Sequence, residues 1–168
     1  MRGVGRAALA MLLAVAAAGC GPSDRARGGG GGSGASGRTQ TAVPLTVTGP
    51  GGRHIFHVEV ARTAAEQAQG LMYRTDIKPD GGMLFYPHPP EGGAPQPAEF
   101  WMKNTPTPLD IAFIRADGTI AHLAENAVPY SETHLSSGEP VSAVLEIVGG
   151  RAAELGIAEG DRVSWPGH

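Results

Sequence analysis

The sequence predicts a mainly β fold: an antiparallel β-sandwich or barrel-like domain with two short helices. Two observations support this prediction. Several short apolar segments alternate in hydrophobicity as half-buried strands do, and turn-forming residues are frequent between them, with 26 glycines and 14 prolines in 168 residues. The segments follow no strand–helix–strand rhythm, and no glycine-rich phosphate loop accompanies them, so a doubly wound nucleotide-binding fold is not expected.

The first elements of the domain follow from local patterns. Residues 54–60 alternate between apolar and polar side chains and predict a strand with one buried face. Thr63 and Glu66 have the spacing of a capping box, which starts a helix, and Gly70 is placed to end that helix. The sequence therefore predicts a strand followed by a short helix.

The best local signal for a hairpin is the Asp117-Gly118 pair, which lies between apolar runs at 109–114 and 119–123. The proline-rich segment 87–97 is expected to be an exposed irregular loop, because proline disrupts helices and central strands. The remaining predicted elements are strands at 83–86, 100–102, 141–148 and 162–165 and a helix at 151–155.

The N-terminus has the order of a secretory signal: the basic residues Arg2 and Arg6, an uncharged run at 7–18, and small residues before Cys20. The run is about a dozen residues long, shorter than the ~20 needed to cross a bilayer. The segment AAGC resembles a bacterial lipobox. We therefore expect residues 1–19 to be a lipoprotein signal peptide and Cys20, the single cysteine, to be lipidated.

After Cys20, residues 20–43 are rich in Gly and Ser and have little to bury, so they are expected to form a flexible tether to a single domain at 44–168. Lipid on Cys20 would make the membrane a partner, since several acyl chains give stable anchoring. The expected location is the cell envelope, on the periplasmic face of the outer membrane if the host is Gram-negative.

The domain is acidic. From Thr41 onward the chain contains 8 Lys and Arg residues and 15 Asp and Glu residues, which gives a net charge of about −7. Nucleic-acid binding requires clustered cations, so a nucleic-acid partner is not expected. Adsorption to anionic lipid is disfavoured for the same reason.

Residues from about 54 to 163 resemble the domain of unknown function 192 (DUF192) family, and the FWMKN stretch is the most distinctive part. The resemblance implies a compact β-rich domain, often exported, with no established activity. It rests on GLMYR at 70–74, GMLF at 82–85, FWMKNTPTPLD at 100–110, FIRADGTI at 113–120, SSGEPVSAVLEIVGG at 136–150 and LGIAEGDRV at 155–163.

Trp101, Lys103 and Asn104 are candidates for a ligand groove. On a strand, Trp101 and Lys103 would share one face, and an aromatic floor with a few polar groups suits a small ligand. Alternatively Trp101 and Met102 belong to the core, Asn104 caps a turn, and Lys103 pairs with a carboxylate elsewhere in the domain.

Four charged residues lie within apolar or glycine-bounded motifs and need partners there: Arg74, Lys103, Asp110 and Glu146. In a pocket, Arg74 and Lys103 would suit a carboxylate or sugar acid, and Asp110 and Glu146 would serve as general acid and base. The alternative is a structural salt-bridge network, with Lys103 paired to Asp110 or Glu146.

Metal and serine chemistry have little support in the sequence. His54 and His57 would face opposite ways on a strand, and the histidines show no metal-ligand spacing, so no metal and no cofactor are expected. Ser136 and Ser137 lack the surroundings of a nucleophile elbow and are interpreted as part of a turn.

The leading hypothesis is a non-catalytic or at most weakly catalytic module, tethered in the envelope, that binds a small polar, glycan or peptide ligand in a groove near Trp101, Lys103 and Asn104. One alternative is an envelope hydrolase or lyase that uses the two carboxylates. Another is a protein-interaction domain whose proline-rich loop makes the contact.

Overall fold

The computed structural model describes residues 41–168. The expected signal peptide, Cys20 and most of the tether lie outside these residues. No helix in the described part is long and apolar enough to cross a bilayer. The elements in chain order are β1 (Val43–Gly49), β2 (Gly52–Ala61), α1 (Ala64–Gln69), β3 (Gly81–Phe85), β4 (Gln96–Phe100), β5 (Leu109–Ile114), β6 (Ile120–Ala127), β7 (Leu135–Val141), β8 (Ala143–Val148), α2 (Arg151–Leu155) and β9 (Arg162–Ser164).

Seven of the strands form one curled sheet in the order β6-β5-β8-β3-β2-β1-β9. The sheet is a half-barrel, and a bridge between Thr119 and Arg162, together with backbone hydrogen bonds such as that from the Ile120 N–H to the Asp161 carbonyl, joins its two edges. All its neighbouring strands are antiparallel except β2 and β3, which are parallel and joined through α1. The predicted mainly β class with two short helices is confirmed, with one strand–helix–strand unit that the sequence pattern did not indicate.

The strands β4 and β7 form a second, two-stranded sheet. Apolar side chains on the two faces of the central strands β3, β5 and β8 belong to two different clusters. One, the barrel core, includes Leu84, Ile114 and Leu145. The other, the second core, packs Phe85 and Phe113 of the large sheet with residues of β4 and β7. The central strands are therefore buried on both faces.

Several local predictions are confirmed. Phe56 and Val58 on β2 are buried, as the alternation predicted. Thr63 and Glu66 form both hydrogen bonds of the capping box, and α1 ends at Gly70. The strands on either side of the Asp-Gly turn pair as a hairpin.

Three local predictions are wrong. Strand β4 ends at Phe100, and the chain turns at Asn104, whose backbone φ is 56°, so residues 101–104 are not a strand. Ser136 and Ser137 lie within β7 and not in a turn, because β7 pairs with β4. The proline-rich loop ends before residue 96, since Gln96 and Pro97 belong to β4. This strand has one neighbour, so its other edge is free and tolerates proline.

Candidate functional site

Glu146 is a buried carboxyl on a central strand of the large sheet. It lies on β8 between Met83 of β3 and Ile111 of β5, on the face of the second core. Its exposure is 4%, and within residues 41–168 its carboxyl group forms no hydrogen bond or ion pair. Burial raises the pKa of Glu146 to about 8, because a low-dielectric surrounding disfavours the charged form. At neutral pH this side chain is mainly an uncharged carboxylic acid.

The Glu146 side chain lines a pocket of about 320 Å³. Three aromatic residues, Phe85, Phe100 and Trp101, contribute to its walls. The Phe85 and Phe100 rings meet edge to face with centroids 4.9 Å apart. The pocket therefore has partly aromatic walls around a single buried acid, and its volume suits a small molecule.

A few polar side chains complete the lining. They include Gln67 from α1, His88 from the proline-rich loop and Glu99 from β4. Desolvation lowers the pKa of His88, which keeps its ring neutral at pH 7. Its Nδ1 atom is buried and has no hydrogen-bond partner among the described residues. The pocket thus holds two side chains with unused hydrogen-bonding capacity, His88 and Glu146.

The C-terminal end of α1 forms one side of the pocket. The side-chain amide of Gln67 donates to the carbonyl of Pro87 at 2.7 Å and so joins α1 to the proline-rich loop. Gly70, which ends the helix, has φ 48°, and a Cβ there would lie 3.2 Å from Cζ of Phe85. A glycine at this position satisfies both the positive φ and the close approach to the ring.

Trp101 lies on the surface part of the pocket wall and is 39% exposed. The Lys103 ammonium is 4.9 Å from the Trp101 ring centroid and 3.8 Å from the Glu132 carboxylate. The His134 ring meets Trp101 edge-on with centroids 5.6 Å apart. Trp101 therefore stands between the pocket and a small group of surface charges.

Two of the residues proposed from the sequence as ligand-binding, Trp101 and Glu146, line this pocket. Lys103 is not part of the lining but contacts Trp101, and it pairs with Glu132 and not with Asp110 or Glu146. Asn104 contacts Met72, a pocket residue, with Nδ2 3.9 Å from Sδ. In the alternative interpretation, Trp101 and Met102 belong to the core. This holds for Met102, which is part of the second core.

Arg74 lies outside this pocket. Its guanidinium donates to Glu59 at 3.1 Å and to Asp76 at 2.8 Å, and these hydrogen bonds raise the pKa of Arg74. It lines two other pockets of about 370 Å³ each, one of which shares Leu71 and the other Met72 with the Glu146 pocket. Arg74 and Lys103 therefore do not converge on one anion site.

Asp110 faces the other side of the sheet. Its carboxylate accepts hydrogen bonds from the backbone N–H groups of Asn126 (2.7 Å), Gly150 (2.9 Å) and Ala152 (2.7 Å). These bonds tie β6 and the start of α2 to β5. Asp110 and Glu146 do not form a pair of catalytic carboxylates, because neighbouring strands place them on opposite faces.

Sequence reasoning missed Phe85, His88, Phe100 and the α1 end as pocket residues. Phe85, Phe100 and the end of α1 belong to motifs shared with the DUF192 family, since segments at 70–72, 82–85 and 100–105 all contribute to the lining. His88 lies outside these motifs, in the proline-rich loop. Their convergence depends on strand pairing that no local pattern reveals. In residues 41–168 no group of three or more His, Cys, Asp or Glu side chains could hold a metal ion.

Residues 45–165 match the model of the DUF192 family, which is described as uncharacterized ACR. A crystal structure of a protein of unknown function from Novosphingobium aromaticivorans is 53% identical, with a TM-score of 0.69 over 74% of this chain and 85% of that one. A Sinorhizobium meliloti protein, described provisionally as a transcription regulator, is 42% identical, with a TM-score of 0.71 over 77% and 97%. Among curated proteins, none matches the chain.

Proposed function

The chain belongs to the DUF192 family, and we propose that this member is a small-ligand-binding module held in the cell envelope by lipid on Cys20. One observation carries the binding proposal: the unpaired carboxyl of Glu146 in the wall of an aromatic pocket. The proposal of envelope anchoring rests on the signal-like N-terminus.

An unpaired buried carboxyl is costly to a fold. Burying a polar group without a hydrogen bond costs roughly 1–3 kcal/mol on the scale of protein mutants. Met83 and Ile111, the register neighbours of Glu146, are apolar, so a leucine would suit the sheet better. A ligand that hydrogen-bonds to Glu146 would offset this cost and accounts for an acid at the position.

A screen of small molecules against the full chain in mild detergent tests the binding proposal. We expect ligands that raise the melting temperature, and we expect the increase to be lost in Glu146→Gln and in Phe100→Ala. The control is Glu125→Gln, which removes an exposed carboxylate outside the pocket. Ligands that stabilise all these variants equally, or a broad screen without ligands, would refute the proposal.

Membrane anchoring is tested separately in a bacterial host that processes lipoproteins. The native chain should incorporate labelled palmitate and fractionate with membranes, whereas Cys20→Ser should do neither. An unlabelled native chain, or a Cys20→Ser chain that stays with the membranes, would contradict the anchoring proposal.

A second candidate function is catalysis by Glu146 alone, as an envelope hydrolase or lyase without Asp110. It is favoured by the raised pKa of Glu146, about 8, which is suited to a general acid or base near neutral pH. Conversion of a bound ligand, seen by mass spectrometry and abolished in Glu146→Gln, would establish it. Binding without conversion would leave the module as a binder.

A further inference from the structure

The ionisable side chains that line the pocket carry no positive charge at neutral pH. They are Glu99, Glu146 and His88, and desolvation lowers the pKa of His88 so that it stays neutral. The nearby cation of Lys103 lies outside the lining, 3.8 Å from the Glu132 carboxylate. The electrostatic surroundings of a ligand here are therefore acidic or neutral.

The aromatic walls of the pocket also favour a positively charged ligand. Phe85, Phe100 and Trp101 present aromatic rings to the same pocket. A cation near the face of an aromatic ring is attracted by its quadrupole, and this attraction strengthens when water is excluded. Lys103 already makes such a contact with Trp101, at 4.9 Å from the ring centroid. Aromatic walls and a buried acid together favour an organic ammonium group.

We propose that the pocket binds a small organic amine in its protonated form, with the ammonium group at the Glu146 carboxyl and an apolar group between the aromatic walls. This inference rests on the proposed binding function and adds the chemical class of the ligand. A carboxylate or sugar acid, the class suggested by Arg74 and Lys103 in the sequence, would meet Glu99 and Glu146 instead.

The proposal makes binding depend on a proton. In the empty pocket Glu146 is protonated at neutral pH, since its pKa is about 8. An ammonium ion would pair with the carboxylate form, so binding transfers the Glu146 proton to solvent and neutralises the buried charge. The other titratable groups in the lining are His88 and Glu99. The neighbours on β3 and β5, Met83 and Ile111, are apolar, and the α1 residues in the lining are uncharged.

Three probes of similar size and different charge test the proposal on the full chain in mild detergent: benzylamine, benzyl alcohol and benzoate. Dissociation constants are measured by ligand-observed NMR. At pH 8 we expect benzylamine to bind at least tenfold more tightly than benzyl alcohol, and benzoate more weakly than either. Benzyl alcohol or benzoate binding as tightly as benzylamine would overturn the amine assignment.

The pH profile and two variants identify the group responsible. Between pH 6 and 7 the affinity for benzylamine should rise about tenfold, because the carboxylate fraction of an acid rises tenfold per pH unit below its pKa, and the rise should level off above pH 8. Glu146→Gln, which keeps an uncharged side chain of similar shape, should bind benzylamine at least tenfold more weakly at pH 8, with no pH dependence. The surface control Glu125→Gln should match the native chain. An unchanged profile in Glu146→Gln would overturn the proposal.

The outcomes separate this inference from the proposed function. If benzyl alcohol binds best and Phe100→Ala abolishes its binding, the pocket is a ligand site and the amine class is wrong. If none of the probes binds and the wider screen finds no ligand, both the inference and the proposed function fail.

Discussion

Asp110 on β5 and Glu146 on β8 are one register position apart, yet their carboxyl groups lie on opposite faces of the same sheet. Asp110 pairs with Ile147, and Glu146 pairs with Ile111. Because successive side chains of a strand alternate between faces, this offset separates the two acids. Asp110 holds the start of α2 through backbone N–H groups, whereas Glu146 lines the pocket. One carboxyl holds backbone groups of the fold, and the other lines a pocket without a hydrogen-bond partner among residues 41–168.

Replacing Asp110 is expected to destabilise the fold. Asp110→Ala leaves three backbone N–H groups without their acceptor. The bond to Ala152 is buried and the other two are partly buried. Since an unsatisfied buried group costs roughly 1–3 kcal/mol, we expect the free energy of unfolding to fall by about 2 kcal/mol or more. Urea denaturation measures the loss. Asp80→Ala, which removes an exposed carboxylate from the same sheet region, is the control and should change stability by less than ~0.5 kcal/mol. Equal effects of the two substitutions would contradict the role assigned to Asp110.

Glu146 should make the native chain less stable as the pH rises. Its pKa is raised by burial from 4.5 to about 8, so the unfolded chain loses this proton first. The stability from the protonated form is complete below pH 4.5 and is lost as the pH rises to about 8. Relative to Glu146→Gln, the native chain should lose on the order of 3–4 kcal/mol between pH 5 and 8.5. Urea denaturation of both chains across this range measures the difference, and parallel curves would show that the carboxyl is not desolvated.

Gly82 is expected to be intolerant of any side chain. A Cβ at this position would lie 2.2 Å from the carbonyl oxygen of Glu146 on the neighbouring strand, and that oxygen is backbone. Gly82→Ala should therefore separate β3 from β8 and cost about 1–3 kcal/mol or more of stability. Gly81→Ala is a matched control on the same strand. A Cβ at Gly81 would lie 3.3 Å from its nearest atoms, the backbone N and O of Lys78, which precedes the strand. We expect Gly81→Ala to cost less, by thermal or urea unfolding, and the reverse order would contradict the packing of β3 on β8.

Thr63 is expected to stabilise α1, the helix whose end forms part of the pocket. The Thr63 hydroxyl accepts from the Glu66 backbone N–H at 3.2 Å. Thr63→Ala should cost about 1 kcal/mol, the usual effect of losing an N-cap. It should also accelerate hydrogen exchange of the amides at 67–70. Thr133→Ala, on an exposed loop, is the control, and equal exchange in the two variants would show that the cap does not hold the helix.

The parts of the fold that depend on neighbours in sequence were predictable. The buried face of β2, the capping box at Thr63 and the hairpin around Asp117-Gly118 each follow from residues a few positions apart. The burial of both faces of β8 was not predictable, because it depends on packing against β4 and β7, which are distant in sequence. The pairing of Ser136 with Glu99 is also nonlocal, which explains why a turn was expected there.

The candidate site was predictable only in its composition. Trp101 and Glu146 were identified because an aromatic beside a cation and an acid among apolar residues are locally conspicuous. The separation of Glu146 from Asp110 depends on strand register, because a shift of one position moves a side chain to the opposite face of the sheet. The contributions of Phe85 and His88 required the β3–β8 pairing and the path of the proline-rich loop.

The most direct test of the ligand site at Glu146 is a pH titration of its carboxyl carbon by NMR, in the full chain with and without saturating benzylamine. Alone, Glu146 should titrate with a midpoint near pH 8. Benzylamine should lower that midpoint by about two units or more, since the expected rise in affinity between pH 6 and 7 requires the bound carboxylate to stay ionised below pH 6, and each tenfold preference for the carboxylate corresponds to about one pKa unit. A midpoint near 4.5 in the empty chain, or one near 8 that benzylamine leaves unchanged, would contradict the account.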